Sequence, residues 1–215
     1  MQERVRERLP LYEPGHEVTV EAEAGGPNPR ASAIPVYRFR DPLQHYVLSL
    51  VPDFYALSTS NYTHWEDFRV LVTYVSEAVR AVYSPAFALR IGLPYINFLD
   101  QTTTGYASLP DITALVRPEL GALLGLDAVS DPDLAIHYIR ASNWADTLAL
   151  RSGVVTDPQK PGPTFVLDFD ASCETQSSLD SVLETCERYH STVYDAFRWA
   201  IRPDRLAVFG IRGTE

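Results

Sequence analysis

The sequence predicts an α+β fold in which an antiparallel sheet is packed by two long helices. Apolar residues recur at helical spacing over residues 64–83 and 178–200, and alternating or β-branched runs typical of strands lie before and between them. A doubly wound parallel sheet would require a regular alternation of strands and helices, which this sequence lacks. The order of elements also suggests two similar halves, each a strand hairpin followed by a long helix.

The first half is predicted to contain three strands and one long helix. β-Branched and aromatic runs predict strands at residues 36–40, 45–51 and 54–60, and the polar segment 21–30 predicts a loop. Thr63 and Glu66 have the spacing of a capping box, which predicts that the helix begins beside them. Ser84 and Pro85 are expected to end the helix.

The second half is predicted to contain four main strands, a short helix and the second long helix. Strands are expected at residues 87–99, 134–140, 147–155 and 164–170, with a final short strand at 206–211, a loop at 101–110 and a short helix at 118–124. Residues 142–145 would join the second and third of these strands. Pro94 cannot donate a ladder hydrogen bond, so it predicts an edge position or a bulge.

Length and composition favour one soluble domain over residues 1–215, with residues 1–33 peripheral. Hydrophobic residues make up 46% of the 215, which is enough to bury a normal core. The two halves would form pseudo-repeats at residues 34–110 and 111–215.

The charge balance limits the expected partners and location. A formal net charge of −10 disfavours direct binding to a phosphate backbone unless basic residues cluster on one face. No apolar stretch reaches the roughly 18 residues needed to span a bilayer, and the charged first residues show no signal peptide. We therefore expect a cytoplasmic protein that binds neither membrane nor nucleic acid directly.

No metal or cofactor site is predicted from the sequence. The two cysteines, Cys173 and Cys186, form no Cys-x-x-Cys pair and have no histidine at zinc-ligand spacing, which predicts two reduced thiols. The nucleotide-binding glycine motifs, Gly-x-Ser-x-Gly and His-Glu-x-x-His are absent. We accordingly predict no catalytic residues, no metal and no cofactor, and an enzyme is the less favoured class.

A family resemblance is carried by two aromatic patterns. Residues 62–68 read Tyr-x-x-Trp-Glu-x-Phe, and residues 92–97 read Gly-x-x-Tyr-Ile-Asn. With segments 50–58, 167–170 and 190–201, these patterns resemble a sporadically distributed family of uncharacterised bacterial proteins, over most of the chain from residue 36 onward. The resemblance implies a shared fold and no established activity, and the family's sporadic spread implies a role in defence or toxin control.

Six residues are candidates for ligand contacts. Asp168 and Asp170 lie two apart on a predicted strand and would point the same way, as a cation site or an acid–base pair requires, although a polar strand end that caps the next helix is the favoured interpretation. His190 lies on the apolar stripe of the last helix, where a buried, hydrogen-bonded histidine is the favoured interpretation.

The other three candidates lie along one predicted strand. Tyr95 and Asn97 should share a face, whereas Arg90 should face the other way unless a bulge changes the alternation. Polar groups on a sheet face can line a ligand pocket, or they can lie on a solvated face.

These observations favour a non-catalytic binding or interaction protein in a bacterial cytoplasmic complex, with a role in defence or toxin control. A protein partner is expected, and an exposed sheet edge could also support a homo-oligomer. The alternative is a small-ligand-binding protein or an enzyme that uses a cavity between sheet and helices, with Asp168 and Asp170 as polar contacts.

Overall fold

The α+β class is confirmed by a computed structural model, which describes residues 1–21, 30–121, 124, 132–143, 146–156 and 162–211. The chain divides into two compact units, residues 1–86 and 87–215. Each unit has its own antiparallel four-stranded sheet and one long helix, so the predicted sheet is two separate sheets. Whether the two units constitute one domain or a duplication stays a prediction.

The first unit is a meander of four strands with a long helix. Its elements are α1 (Gln2–Val5), β1 (Leu11–Glu21), β2 (Arg30–Arg40), β3 (Tyr46–Leu50), β4 (Tyr55–Thr59) and α2 (Trp65–Tyr83). The strands pair in chain order, β1-β2-β3-β4, and every pair is antiparallel.

The core of the first unit lies between its sheet and α2. Leu71, Val75 and Val79 of α2 are buried in one cluster with Phe39 and Leu48 of the sheet. These three helix residues are spaced four apart, so they form one stripe on the helix. Burial of this stripe stabilises a helix whose many valines have only modest helical propensity.

Several predictions for the first unit need correction. Strand β1 was not predicted, and β2 begins at Arg30, six residues before the predicted strand. The predicted loop at 21–30 falls largely on residues 22–29, which lie outside the described residues. The predicted capping box does not form: His64 is the N-cap of α2, and the Thr63 hydroxyl donates to the Asp67 carboxylate instead.

The second unit combines a four-stranded sheet with four helices among its described residues. Its elements are β5 (Ile91–Leu99), α3 (Gln101–Thr104), α4 (Leu109–Thr113), α5 (Pro118–Gly121), β6 (Leu134–Asn143), β7 (Asp146–Val155), β8 (Thr164–Cys173) and α6 (Val182–Ala200), with 3-10 helices at Leu179–Ser181 and Pro203–Phe209. The spatial order β5-β8-β7-β6 places the first strand beside the last, which is Greek-key connectivity.

Pro94 lies on an edge strand, as one of the two predicted alternatives requires. Among the strands that the structure describes, β5 pairs only with β8, and the register runs without interruption from Ile91 opposite Cys173 to Leu99 opposite Phe165. The strand therefore has no bulge at Pro94, and the missing N–H costs no ladder hydrogen bond if it faces the unpaired side.

Other predictions for the second unit are partly wrong. The predicted loop at 101–110 contains α3, which is capped by Asp100, and the start of α4. The predicted final strand at 206–211 is mostly a 3-10 helix that begins with Pro203. The β6–β7 hairpin is confirmed, although Trp144 and Ala145 of its turn lie outside the described residues.

Candidate functional site

The sheet of the second unit has two chemically different faces, because successive side chains of a strand point in opposite directions. Leu167 and Phe169 of β8 are buried, and the ring of Phe169 meets Phe197 of α6 at 6.4 Å in a T-shaped contact. This face is therefore packed by α6. Asp168 and Asp170 point to the opposite face.

Two of the predicted site residues, Tyr95 and His190, meet on the α6-facing side. The Tyr95 hydroxyl lies 3.1 Å from Nδ1 of His190, and this hydrogen bond joins edge strand β5 to α6. The imidazole is also 6.3 Å from the ring of Tyr194. The hydrogen bond agrees with the prediction for His190, but the side chain is only half-buried, not buried. The contact joins strand and helix.

Asn97 shares the face of Tyr95, as the alternation predicts. Its amide nitrogen donates to the main-chain oxygen of Leu167 at 3.1 Å, which braces β5 against β8. The side chain is thus used within the sheet, and it does not reach the imidazole of His190.

Asp168, Asp170 and Arg90 lie together on the other face and form ion pairs. Arg90 donates to Asp170 at 3.2 Å, and Arg151 of β7 donates to Asp168 at 2.7 Å. The Arg151 guanidinium also lies over the ring of Tyr138, 5.5 Å from its centroid. Each carboxylate is therefore paired with an arginine guanidinium.

The six predicted residues thus fall into two groups on opposite faces of one sheet. The predicted alternative function requires Asp168 and Asp170 to line the space between the sheet and α6, and they do not. Among the described residues, no three His, Cys, Asp or Glu side chains come together as metal ligands.

A second polar cluster was not predicted from the sequence. Tyr189 of α6 is buried, and its hydroxyl donates to Asp146 at 2.6 Å, while Arg188 forms an ion pair with the same carboxylate. Burial opposes ionisation of Asp146, but the hydrogen bonds from Tyr189 and Arg188 outweigh it and hold its pKa below the ordinary value. The cluster ties the start of β7 to α6.

Tyr189 and Cys186 keep their protons at neutral pH, and the neighbouring Cys173 is buried. Burial and the hydrogen bond to Asp146 raise the pKa of Tyr189, so its hydroxyl stays a donor. Burial raises the pKa of Cys186 to about 11. Burial also opposes ionisation of Cys173, but hydrogen bonds, among them those of the main chain at Ile91 and Thr175, lower its pKa, and the thiol is buried.

A cavity of about 300 Å³ lies beside this cluster. It is lined by side chains of the β6–β7 hairpin and of α6, including Asn143, Asp146, Arg188, Tyr189 and Thr192. Its polar groups are largely engaged with one another, since Asp146 accepts from both Arg188 and Tyr189.

The face of this sheet that points away from α6 carries exposed apolar side chains that were not predicted from the sequence. We call it the distal face and define it by Ile96, Phe98, Ile136, Tyr138, Arg151, Asp168 and Asp170. Ile96 and Phe98 of β5 and Ile136 and Tyr138 of β6 are 46–57% exposed. The apolar side chains thus lie on the two outer strands, and the ion pairs of Asp168 and Asp170 lie between them.

Comparisons with protein-family models, curated proteins and solved structures found no match. The family resemblance of the aromatic patterns therefore stays a prediction. Across the part of the chain that the structure describes, no helix combines the length and apolar character needed to cross a membrane.

The Asp146 cluster leads to a pH prediction. Because the folded-state pKa of Asp146 is lowered, its carboxylate stabilises the fold above the ordinary aspartate pKa of about 3.9, and this contribution is lost as the pH falls through the folded value. We expect Asp146→Asn to lower the free energy of unfolding by about 1 kcal/mol at pH 7, since the site is partly exposed. The difference from the wild type should shrink at pH 3 in urea unfolding.

Glu3→Gln provides the control, because the Glu3–Arg6 pair is largely solvated and should contribute little at either pH. An Asp146→Asn effect of the same size at pH 7 and pH 3 would contradict the assigned role of the carboxylate.

Proposed function

We propose that this chain is a non-catalytic protein-binding module whose partner docks on the distal face. The observation that carries the proposal is the exposure of four large apolar side chains on one sheet face, two on each outer strand. These two apolar pairs flank the ion-paired band and offer surface that a partner would bury. Aromatic residues and arginine, both present here, are enriched in protein interfaces.

The charges of the distal face favour a protein over a nucleic acid. Arg90 and Arg151 are each paired with a carboxylate, so the band between the apolar strands carries little net charge. A phosphate backbone binds to arginines that are free to neutralise it, and its affinity rests largely on such contacts. A protein partner would instead bury the apolar strands and use the paired band for orientation.

The cellular setting completes the proposal. A place in a bacterial cytoplasmic complex, with a role in defence or toxin control, rests on the family resemblance alone.

The test is affinity purification of the chain from its native host. We expect a stoichiometric partner to be retained by the wild type and lost with Ile96→Lys, which places an ammonium among the apolar side chains of the distal face. Val70→Lys is the matched control, because Val70 is an exposed aliphatic residue on α2. Retention of the partner by Ile96→Lys, or its loss with Val70→Lys, would contradict the assignment.

A second candidate function is suggested by the cavity beside Asp146. Its volume of about 300 Å³ is at the lower end of the range of ligand pockets. A small polar ligand there would contact Asn143, Thr192 and the Asp146–Arg188 pair. Native mass measurement of the purified chain separates the candidates: a fixed mass increment below about 1 kDa, the size of a metabolite, favours the ligand, and a second chain favours the partner.

A further inference from the structure

Strand β6 is an edge strand that lacks the usual protection against pairing. It is ten residues long and pairs residue for residue with β7, so no bulge bends it away. It contains no proline, no lysine and no carboxylate. Among the described residues no strand pairs with its other side, so one row of N–H and C=O groups has no ladder partner.

The opposite edge of the same sheet differs. Strand β5 carries Pro94, which has no N–H to offer to an added strand. Natural sheets use proline, charged side chains or bulges to block edge pairing, and of these β6 has one charged side chain, Arg140, in its second half. The contrast between the two edges singles out β6 as the edge that can accept a strand.

Exposed apolar side chains on both faces of β6 would be covered by an added strand. Leu134, Ile136 and Tyr138 project on the distal face, Ile139 projects on the other, and all four are more than half exposed. An extended segment paired with β6 would satisfy the unpaired backbone groups and cover these apolar side chains together.

We propose that two copies of this chain pair antiparallel through β6 and join their second sheets into one continuous sheet. The two-fold axis would be perpendicular to the sheet. Even-numbered residues would then face even-numbered residues of the other copy, and odd would face odd, with both side chains of each pair on the same face of the joined sheet. In the register centred on His137, Ile136 of each copy faces Tyr138 of the other along residues 134–140. A two-fold interface must be self-complementary, and this register meets that condition.

The charges of β6 are compatible with this pairing. Arg140 would face Leu134 of the other copy, so the two guanidinium groups are not directly opposed. His137 would face His137 of the other copy. Because β6 has no carboxylate, the net charge of −10 is not concentrated at this edge.

The proposed pairing goes beyond the proposed function and does not depend on it. Adding one strand to another buries less area than a standard protein interface, so we expect a dissociation constant in the micromolar range. The test is sedimentation velocity of the purified chain, without any partner, over a concentration series. The wild type should shift from monomer to dimer as its concentration rises.

Ile136→Lys should raise the dissociation constant by at least about tenfold, because it buries an ammonium beside apolar side chains. The double variant Ile136→Lys with Tyr138→Glu should recover most of the affinity, since each new ammonium faces the new carboxylate of the other copy. Circular dichroism and thermal unfolding would verify that each variant is folded.

Two controls separate the edge from the rest of the surface. Val70→Lys, on α2, and Ile96→Lys, on the distal face at the β5 edge, should both leave self-association unchanged. The proposal would be overturned if the wild type stays monomeric at a concentration of several hundred micromolar, on the order of the dissociation constant of the weakest specific contacts. Equal weakening by Ile96→Lys, or a double variant no better than Ile136→Lys, would overturn it too.

Discussion

Replacing Phe169 with alanine is expected to lower the free energy of unfolding of the second unit by about 3–5 kcal/mol. Phe169 lies on β8, a central strand, and its side chain is 1% exposed. Its ring packs against Phe197 of α6, so the truncation removes contacts and leaves a cavity between sheet and helix. Calorimetry or urea unfolding measures the loss.

Phe98→Ala is the matched control for this prediction. Phe98 is the same residue type on the same sheet, but it lies on the distal face and is 46% exposed. Its truncation should change the stability by less than about 1 kcal/mol, as expected for a partly exposed side chain. Similar losses for the two variants would mean that α6 does not cover the face that contains Phe169.

Replacing Gly153 with alanine is expected to cost about 3 kcal/mol or more, through backbone strain and steric overlap. Gly153 has a φ of +155°, which L side chains rarely adopt. A Cβ there would lie 1.8 Å from the carbonyl oxygen of Ala135 on β6. The β6–β7 ladder would have to open, and unfolding of the second unit should occur at a lower urea concentration.

Gly105→Ala separates the cost of backbone strain from the cost of steric overlap. Gly105 also has a positive φ, +80°, but a Cβ at this position would have no atom within 4 Å beyond its immediate chain neighbours. The variant should cost only about 1 kcal/mol, the usual cost of a left-handed alanine. If Gly153→Ala lowers the free energy of unfolding no more than Gly105→Ala does, β6 does not approach β7 closely at this position.

The long helix and the short hairpin of the first unit could be predicted because their signals are local. Phe68, Val72, Val75, Val79 and Val82 recur at helical spacing in the sequence, and the structure buries Phe68, Val75 and Val79 but leaves Val82 exposed. The pairing of β3 with β4 was predicted from two β-branched and aromatic runs close together in the chain.

Strand β1 was missed because its stability comes from distant residues. It contains Pro14 and Gly15, which are depleted in strands, and its charged residues give no clear alternation. In the structure it pairs with β2 along its full length, and Glu17 forms an ion pair with Arg38 across the two strands. No local pattern records a partner that lies 21 residues away.

The capping box failed for a different reason. The spacing of Thr63 and Glu66 fits the motif, but the helix begins one residue later, with His64 as its N-cap. The Thr63 hydroxyl is then one position too early to cap the helix, and it binds the Asp67 side chain. Helix ends shift easily by one residue, so a motif alone does not fix them.

The candidate site was predictable only in part. Alternation correctly placed Tyr95 and Asn97 on one face and Arg90 on the other. It could not show that His190 would meet Tyr95, which is 95 residues away. The contact between Asp146 and Tyr189 spans 43 residues and was missed for the same reason.

The distal face has a local sequence signal of its own. Leu134, Ile136 and Tyr138 alternate with residues of the other face, which indicates a strand with an apolar side. Such a pattern ordinarily predicts burial in a core. Because β6 is an edge strand and α6 packs on the other face, these side chains are exposed instead.

The most direct test of partner binding at the distal face is hydroxyl-radical footprinting of the chain, alone and in the complex purified from its host. Tyr138 on the distal face and Tyr83 on α2 are 55% and 56% exposed, so they should be labelled alike in the free chain at a concentration at which it is monomeric. In the complex, labelling of Tyr138 should fall severalfold while Tyr83 is unchanged. Unchanged labelling of Tyr138 in a stoichiometric complex would contradict docking at this face.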